Sequence, residues 1–81
     1  MQRSLIGETT CGEILIHYYL LDEDAGPCRR YGILIEYGSD RLELRDLTST
    51  AGRVRSLLQA MCRGAVTPVT ARDVVEDWLL E

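Results

Sequence analysis

Lysine and phenylalanine are absent, and nine arginines carry all the positive charge. The missing lysine reflects a compositional habit of the source genome and not a function, although arginine suits bidentate anion contacts better. No basic run exists; Arg29-Arg30 is the one adjacent pair, and the net charge is −4. Binding to duplex nucleic acid by phosphate neutralisation is therefore disfavoured. An anionic membrane surface is disfavoured for the same reason. Long apolar runs are also missing, so nothing in the sequence is long enough to cross a bilayer. Met1 to Glu8 holds one arginine and two apolar residues before a carboxylate, which is no signal-peptide core. The cytoplasm is the expected location, with no membrane and no nucleic acid among the expected partners.

Cysteine is scarce. Cys11, Cys28 and Cys62 are odd in number and form no Cys-x-x-Cys pair. A disulfide framework needs pairs and an oxidising compartment, and neither is indicated. With the single histidine, His17, they would complete one tetrahedral zinc set, but the close ligand pairs of structural zinc sites are missing. If Cys11 and His17 lie along one extended segment, six residues at about 3.3 Å each hold them roughly 20 Å apart, too far for shared coordination. No metal and no cofactor is expected.

What is present fits one small domain. The chain has 81 residues and is 46% hydrophobic, too apolar for a disordered tail. A chain of this length buries only about two thirds of its unfolded surface, so the core is small. There are no repeats, no linker and no low-complexity tract.

The period of the apolar residues divides the chain. Residues 13–21 are rich in β-branched and aromatic side chains and predict a central strand. One face carries Ile14, Ile16, Tyr18 and Leu20; the other carries Leu15, His17, Tyr19 and Leu21. Asp22 to Arg30, polar and with a Gly-Pro step, predicts a loop. Residues 31–37 predict the next strand, with Tyr31, Ile33, Ile35 and Tyr37 on one side. After a short turn at Gly38-Ser39-Asp40, residues 41–46 alternate strictly. Leu42 and Leu44 point in and Arg41, Glu43 and Arg45 out, as in a strand with one wet face. Residues 3–10 supply a first strand turning at Cys11-Gly12. Its register is open, because Leu5 and Ile6 are adjacent and point to opposite faces.

The period then becomes helical. Val54, Leu57, Leu58 and Met61 fall at i, i+3, i+4 and i+7, an amphipathic stripe that predicts a helix over 50–63. Thr48, Ser49 or Thr50 caps it, and Gly64 ends it as a left-handed residue. A second helix is predicted over 71–80. Thr67 before Pro68 is held extended. Thr70 with Asp73 resembles a capping box, and Val69 with Val74 then forms a hydrophobic staple. Ala71, Val74, Val75, Trp78 and Leu79 make the buried stripe. With Trp78 in the core, Trp78→Ala should cost roughly 3–5 kcal/mol. The expected fold is α+β: an antiparallel meander of three or four strands with two C-terminal helices on one face.

The run Val66-Thr67-Pro68-Val69, then Asp73-Val74-Val75-Glu76-Asp77-Trp78-Leu79, with Tyr31-Gly32-Ile33 opening a strand upstream, resembles a family of small uncharacterised bacterial proteins. These occur mostly in clostridial-type anaerobes and form a domain of unknown function. The likeness covers nearly the whole chain and is most specific in the C-terminal run, where Thr70-Ala71 replaces the His-Leu frequent in that family. It implies a small cytoplasmic bacterial protein and brings no activity, ligand or catalytic residue with it.

Three stretches could act. His17, between apolar neighbours on a strand, is either structural or a base; no nucleophile signature accompanies it. Thr48, Ser49, Thr50 and Arg53 stand where a helix begins with no acid in its first turns. Either a hydroxyl caps the helix there, or free N–H groups and arginine bind an anion. No Gly-Lys-Ser/Thr ending makes it a phosphate loop. Asp22, Glu23 and Asp24 lack the alternating oxygen pattern of a calcium loop. Asp73, Glu76 and Asp77 read as a solvated helix side. If helices cover the Ile14/Ile16/Tyr18 side of the sheet, then Leu15, His17, Tyr19 and Leu34 face outward, rimmed by Glu36, Arg41, Glu43 and Arg45. An apolar centre with a charged rim is the anatomy of a partner surface, unless another segment covers it. Symmetric self-association is the cheapest partner.

Three functional readings follow. The first is a non-enzymatic interaction or regulatory module using the outer sheet face, as a homodimer or with another protein. The second is a small anion- or nucleotide-binding domain using the Thr48–Arg53 helix start. The third, an enzyme, ranks last. One histidine, no nucleophile motif and no cofactor fingerprint leave little from which to build a preorganised site.

Overall fold

A computed structural model describes residues 2–80, with Ala25 described by its backbone alone. Four strands run in order: β1 (Gln2–Cys11), β2 (Ile14–Ala25), β3 (Cys28–Tyr37) and β4 (Asp40–Thr48). They form one antiparallel sheet in the order β1-β2-β3-β4. Two helices follow, α1 (Ala51–Arg63) and α2 (Pro68–Leu79), and both lie on one face. This is the α+β meander with two closing helices that the change of period indicates. The meander follows from short hairpin turns. Gly12, Gly26 and Gly38 each take a positive φ there, a region closed to most side chains.

The polar stretch Asp22 to Arg30 is not a loop. β2 and β3 continue through it and turn only at Gly26-Pro27. The ladder places Glu23 opposite Arg30 and Asp24 opposite Arg29, and Arg29 donates to Asp22 at 2.8 Å. Opposite charges across a ladder stabilise the pairing, so polar composition here marks a solvated hairpin end.

The adjacency of Leu5 and Ile6 resolves as a β-bulge. Leu5 pairs with Tyr19 and Gly7 with Tyr18, so Ile6 is the extra residue. Before the bulge Leu5 faces away from the helices; after it the alternation is reset. Ile6 packs on the core and Leu5 remains 52% exposed.

The core lies between the sheet and the helices. Ile16, Tyr18, Leu20, Ile33, Ile35 and Leu42 meet Val54, Leu57, Leu58 and Met61 of α1 and Ala71 and Val75 of α2. Each such large side chain contributes about 1.5–3 kcal/mol through burial. α1 lies across β1, β2 and β3, and α2 lies beside β4 and β3. The Tyr18 hydroxyl ties the layers together by donating to the Val66 carbonyl oxygen at 2.7 Å.

The helix ends depart from expectation. Thr50 is the N-cap of α1, but no side chain caps the helix. Thr48 Oγ1 instead accepts from the Thr50 N–H at 3.2 Å, a local turn before the helix. At the other end Gly64 has φ −90 and is not left-handed. Ala65 takes that role at φ 51. Val66 N–H bonds to Met61 O and Ala65 N–H to Cys62 O, the paired bonds of a Schellman motif with alanine in the left-handed place.

The second helix starts at Pro68, three residues before 71, with Thr67 as an N-cap that makes no side-chain bond. Proline suits the first helical position because its φ is preset and its missing N–H would be unpaired there anyway. That moves Thr70 inside the helix, so it forms no capping box. Val69 is 80% exposed and staples nothing. Leu79 is 52% exposed, outside the buried stripe. Trp78 is half-buried at the core margin, beneath the Arg53 guanidinium at 4.8 Å from its ring centre. It rims the core and does not plug it.

Candidate functional site: the outer sheet face

Helices cover only one face of the sheet, so the other is built from strand register alone. Leu5, Tyr19, Leu34 and Glu43 form one row across all four strands. Glu8, His17, Glu36 and Arg41 form the next. Leu15 lies beyond them on β2, opposite Thr10, and Leu21 lies on the other side, between Arg3 and Gly32. Leu15, His17, Tyr19 and Leu34 thus share one face. Their exposure differs sharply. Leu15 is 45% exposed, His17 and Tyr19 are half-buried, and Leu34 is 1% exposed.

Leu21 and Leu34 are buried without a helix above them. Neighbouring side chains cover them, because long charged residues lay their aliphatic stems over apolar surface while their heads stay wet. The Arg3 guanidinium sits 4.8 Å from the Tyr19 ring centre and reaches Glu36 at 4.0 Å. Glu43 receives Arg41 and Arg45, each at 3.1 Å, and Arg45 lies 3.8 Å from Glu23. His17 Nε2 lies 3.2 Å from Glu8 Oε2, and its ring stacks on Tyr19 with centroids 6.3 Å apart. The face is therefore an apolar band, Leu5–Tyr19–Leu34, inside a ring of paired charges. Pairs this exposed hold together weakly, about 0–1 kcal/mol each, so a partner could rearrange them at low cost.

Arg3, Leu5 and Glu8 of β1 also belong to this face, although β1 was an unregistered strand in the sequence. The signal that could have placed them is the Leu5-Ile6 adjacency itself, since two neighbouring apolar residues in an amphipathic edge strand mark a bulge.

The other candidates fall elsewhere. Thr48 ends β4, Ser49 and Thr50 precede α1, and Arg53 is in the first turn of α1, where no acidic residue stands. Arg53 is engaged with Trp78. Cys11 faces the core side of β1, His17 the opposite face of the sheet, Cys28 is exposed beside the β2–β3 turn, and Cys62 lies on α1. A hairpin, not one extended segment, connects Cys11 to His17. Among the described residues no three or more His, Cys, Asp or Glu could together hold a metal ion.

Two tyrosines on the helix side have altered acidity. The Tyr18 hydroxyl is pushed up to about 12, first by burial and then by the neighbouring Cys62 and Cys11 sulfurs. Tyr37 is also raised, chiefly through its hydrogen bond with Cys11. Both stay protonated at neutral pH and act as hydrogen-bonding groups, not as bases. Among the described residues no helix is long and apolar enough to cross a membrane.

The profile of a protein family, DUF6514, described as a family of unknown function, matches residues 2–81. No curated protein and no solved structure matches the chain.

Proposed function

The chain belongs to DUF6514, and since a family of unknown function brings no activity with it, we propose from the geometry that it is a small non-enzymatic interaction module. The outer sheet face is its contact surface, and a second copy of the chain is the simplest partner. The observation that carries this reading is the band Leu5–Tyr19–Leu34, which crosses three strands on the face without helices. Its β1 end is open to solvent, with Leu5 52% exposed, and Leu15 on the same face of β2 is 45% exposed, while Leu34 at the other end is covered. An apolar band inside a polar ring is how partner surfaces are built, with the ring excluding water once the band is covered. The ring holds both signs of charge, so a two-fold copy can meet it without a net like-charge clash. The cytoplasm remains the proposed setting.

Light scattering and sedimentation of the purified chain test this. The expected result is a dimer that Tyr19→Glu converts to monomer while circular dichroism shows the fold retained. A wild type that stays monomeric up to millimolar concentration would rule out self-association through this face.

A second reading, weak anion or nucleotide binding at Thr48, Ser49, Thr50 and Arg53, draws on the uncapped, acid-free first turn of α1. Phosphate titration followed by amide resonances of residues 48–53 tests it. Flat resonances there eliminate it.

A further inference from the structure

β1 is an edge strand, so one side of its backbone has no partner in the sheet. Past its bulge the strand is regular. Gly7 through Cys11 pair one-for-one with Tyr18 through Ile14, which leaves a straight free edge of five residues. Sheets usually blunt such an edge with proline, lysine or an inward charge. This stretch has none of them; its one charge, Glu8, points to the outer face toward His17.

α1 adds a wall beside that edge. A cleft of about 440 Å3 runs between them, lined by Ile6, Glu8 and Thr9 of β1 and Gln59, Cys62 and Arg63 of α1. α1 packs closely on β1 at Gly7, where an added side-chain carbon would lie 3.0 Å from the Cys62 sulfur. Arg63, one of the lining residues, has no ion pair among the described residues. The opposite edge is less suited. β4 is broken by a bulge near Asp46, which has φ 58, and the cleft beside it is only about 230 Å3.

We propose that the cleft between β1 and α1 takes an extended peptide segment of a partner protein. The segment pairs with Gly7–Cys11 as a fifth strand. It sets an aliphatic side chain against Ile6 and Cys62 and a carboxylate against Arg63. In strand addition the backbone bonds supply affinity, and pockets for alternate side chains supply selectivity. An edge strand with a helix alongside provides both. Arg63 supplies the charge complementarity that makes the occupant acidic. The cleft shares only Glu8 with the outer sheet face, so the proposal does not depend on dimerisation there.

Selection of a random-peptide library displayed on phage against the full chain tests it. The expected result is enrichment of sequences with aliphatic residues at alternate positions and an acidic residue near one end. Synthetic copies should shift the amide resonances of residues 7–11 and slow their hydrogen exchange. Proline within the aliphatic run should abolish binding. Arg63→Glu should weaken it on the order of tenfold, with Arg63→Gln intermediate and Arg72→Glu on α2 unchanged. The proposal is overturned by no enrichment over a blank surface, by shifts that fall on the outer sheet face or α2, or by indifference to both Arg63 variants.

Discussion

Tyr18→Phe isolates the one side-chain hydrogen bond that spans the layers among the described residues. The ring is fully buried, and its hydroxyl donates to the Val66 carbonyl oxygen at 2.7 Å, between β2 and the α1–α2 turn. The substitution keeps the ring and leaves that carbonyl without this donor. A lost bond of this kind costs about 1–2 kcal/mol near neutral pH. The same hydroxyl links stability to alkaline pH. Its acidity is pushed up to about 12 in the folded chain, against 10.0 for an ordinary tyrosine. Between those values the unfolded chain releases the proton and the folded chain keeps it. The contribution is complete below pH 10 and is lost as pH rises toward 12; the loss reaches about 1.4 kcal/mol by pH 11. Urea unfolding of both proteins from pH 7 to 11 should show the wild type more stable at pH 7, with its advantage shrinking above pH 10. The two proteins differ only at this hydroxyl, so the difference reports Tyr18. Equal stabilities at pH 7, or parallel losses between pH 10 and 11, would refute the reasoning.

Other expectations concern backbone and margin. Gly32→Ala should destabilise by at least about 3 kcal/mol, because the new carbon would lie 2.2 Å from the Leu44 carbonyl oxygen and 2.9 Å from Arg45 Cα; denaturant melts measure this. Ala65→Gly should raise stability by up to about 1 kcal/mol in thermal unfolding, since alanine now occupies a left-handed position at φ 51. Val69→Ala should change stability by no more than about 0.5 kcal/mol, since Val69 is 80% exposed. Trp78→Ala should cost about 2 kcal/mol, less than for a core tryptophan, because the ring is half-buried and meets Arg53 on one face.

Much of the fold was legible because it rests on periodicity. Leu42 and Leu44 alternate with Arg41, Glu43 and Arg45, and burial follows that alternation. Val54, Leu57, Leu58 and Met61 repeat at helical spacing, and all four are buried. Ends were less legible, because competing local signals are decided by the surroundings. Both Thr70 with Asp73 and Thr67 with Pro68 could start a helix. Packing of Pro68 and Ala71 against the sheet side selects the earlier start. Gly64 was the natural left-handed residue, yet the Met61 and Cys62 carbonyls are met by N–H groups one residue later, which passes the strain to Ala65. The grouping of Leu15, His17, Tyr19 and Leu34 on one face could be read from parity. Arg3, Leu5 and Glu8 could not be placed there until the bulge set the register of β1.

By itself the sequence determined the fold class and the core positions of the strands and α1, because strand and helix periods are local properties of a chain. It also determined the family, whose profile spans residues 2–81. Only the tertiary structure decided which surfaces are free to act. The shielding of Leu34, flanked by Tyr19 and Glu43, depends on neighbours from two other strands. The cleft beside β1 exists because α1, which begins forty residues after β1 ends, lies next to that edge. Both are contacts between residues distant along the chain, and no local pattern encodes them.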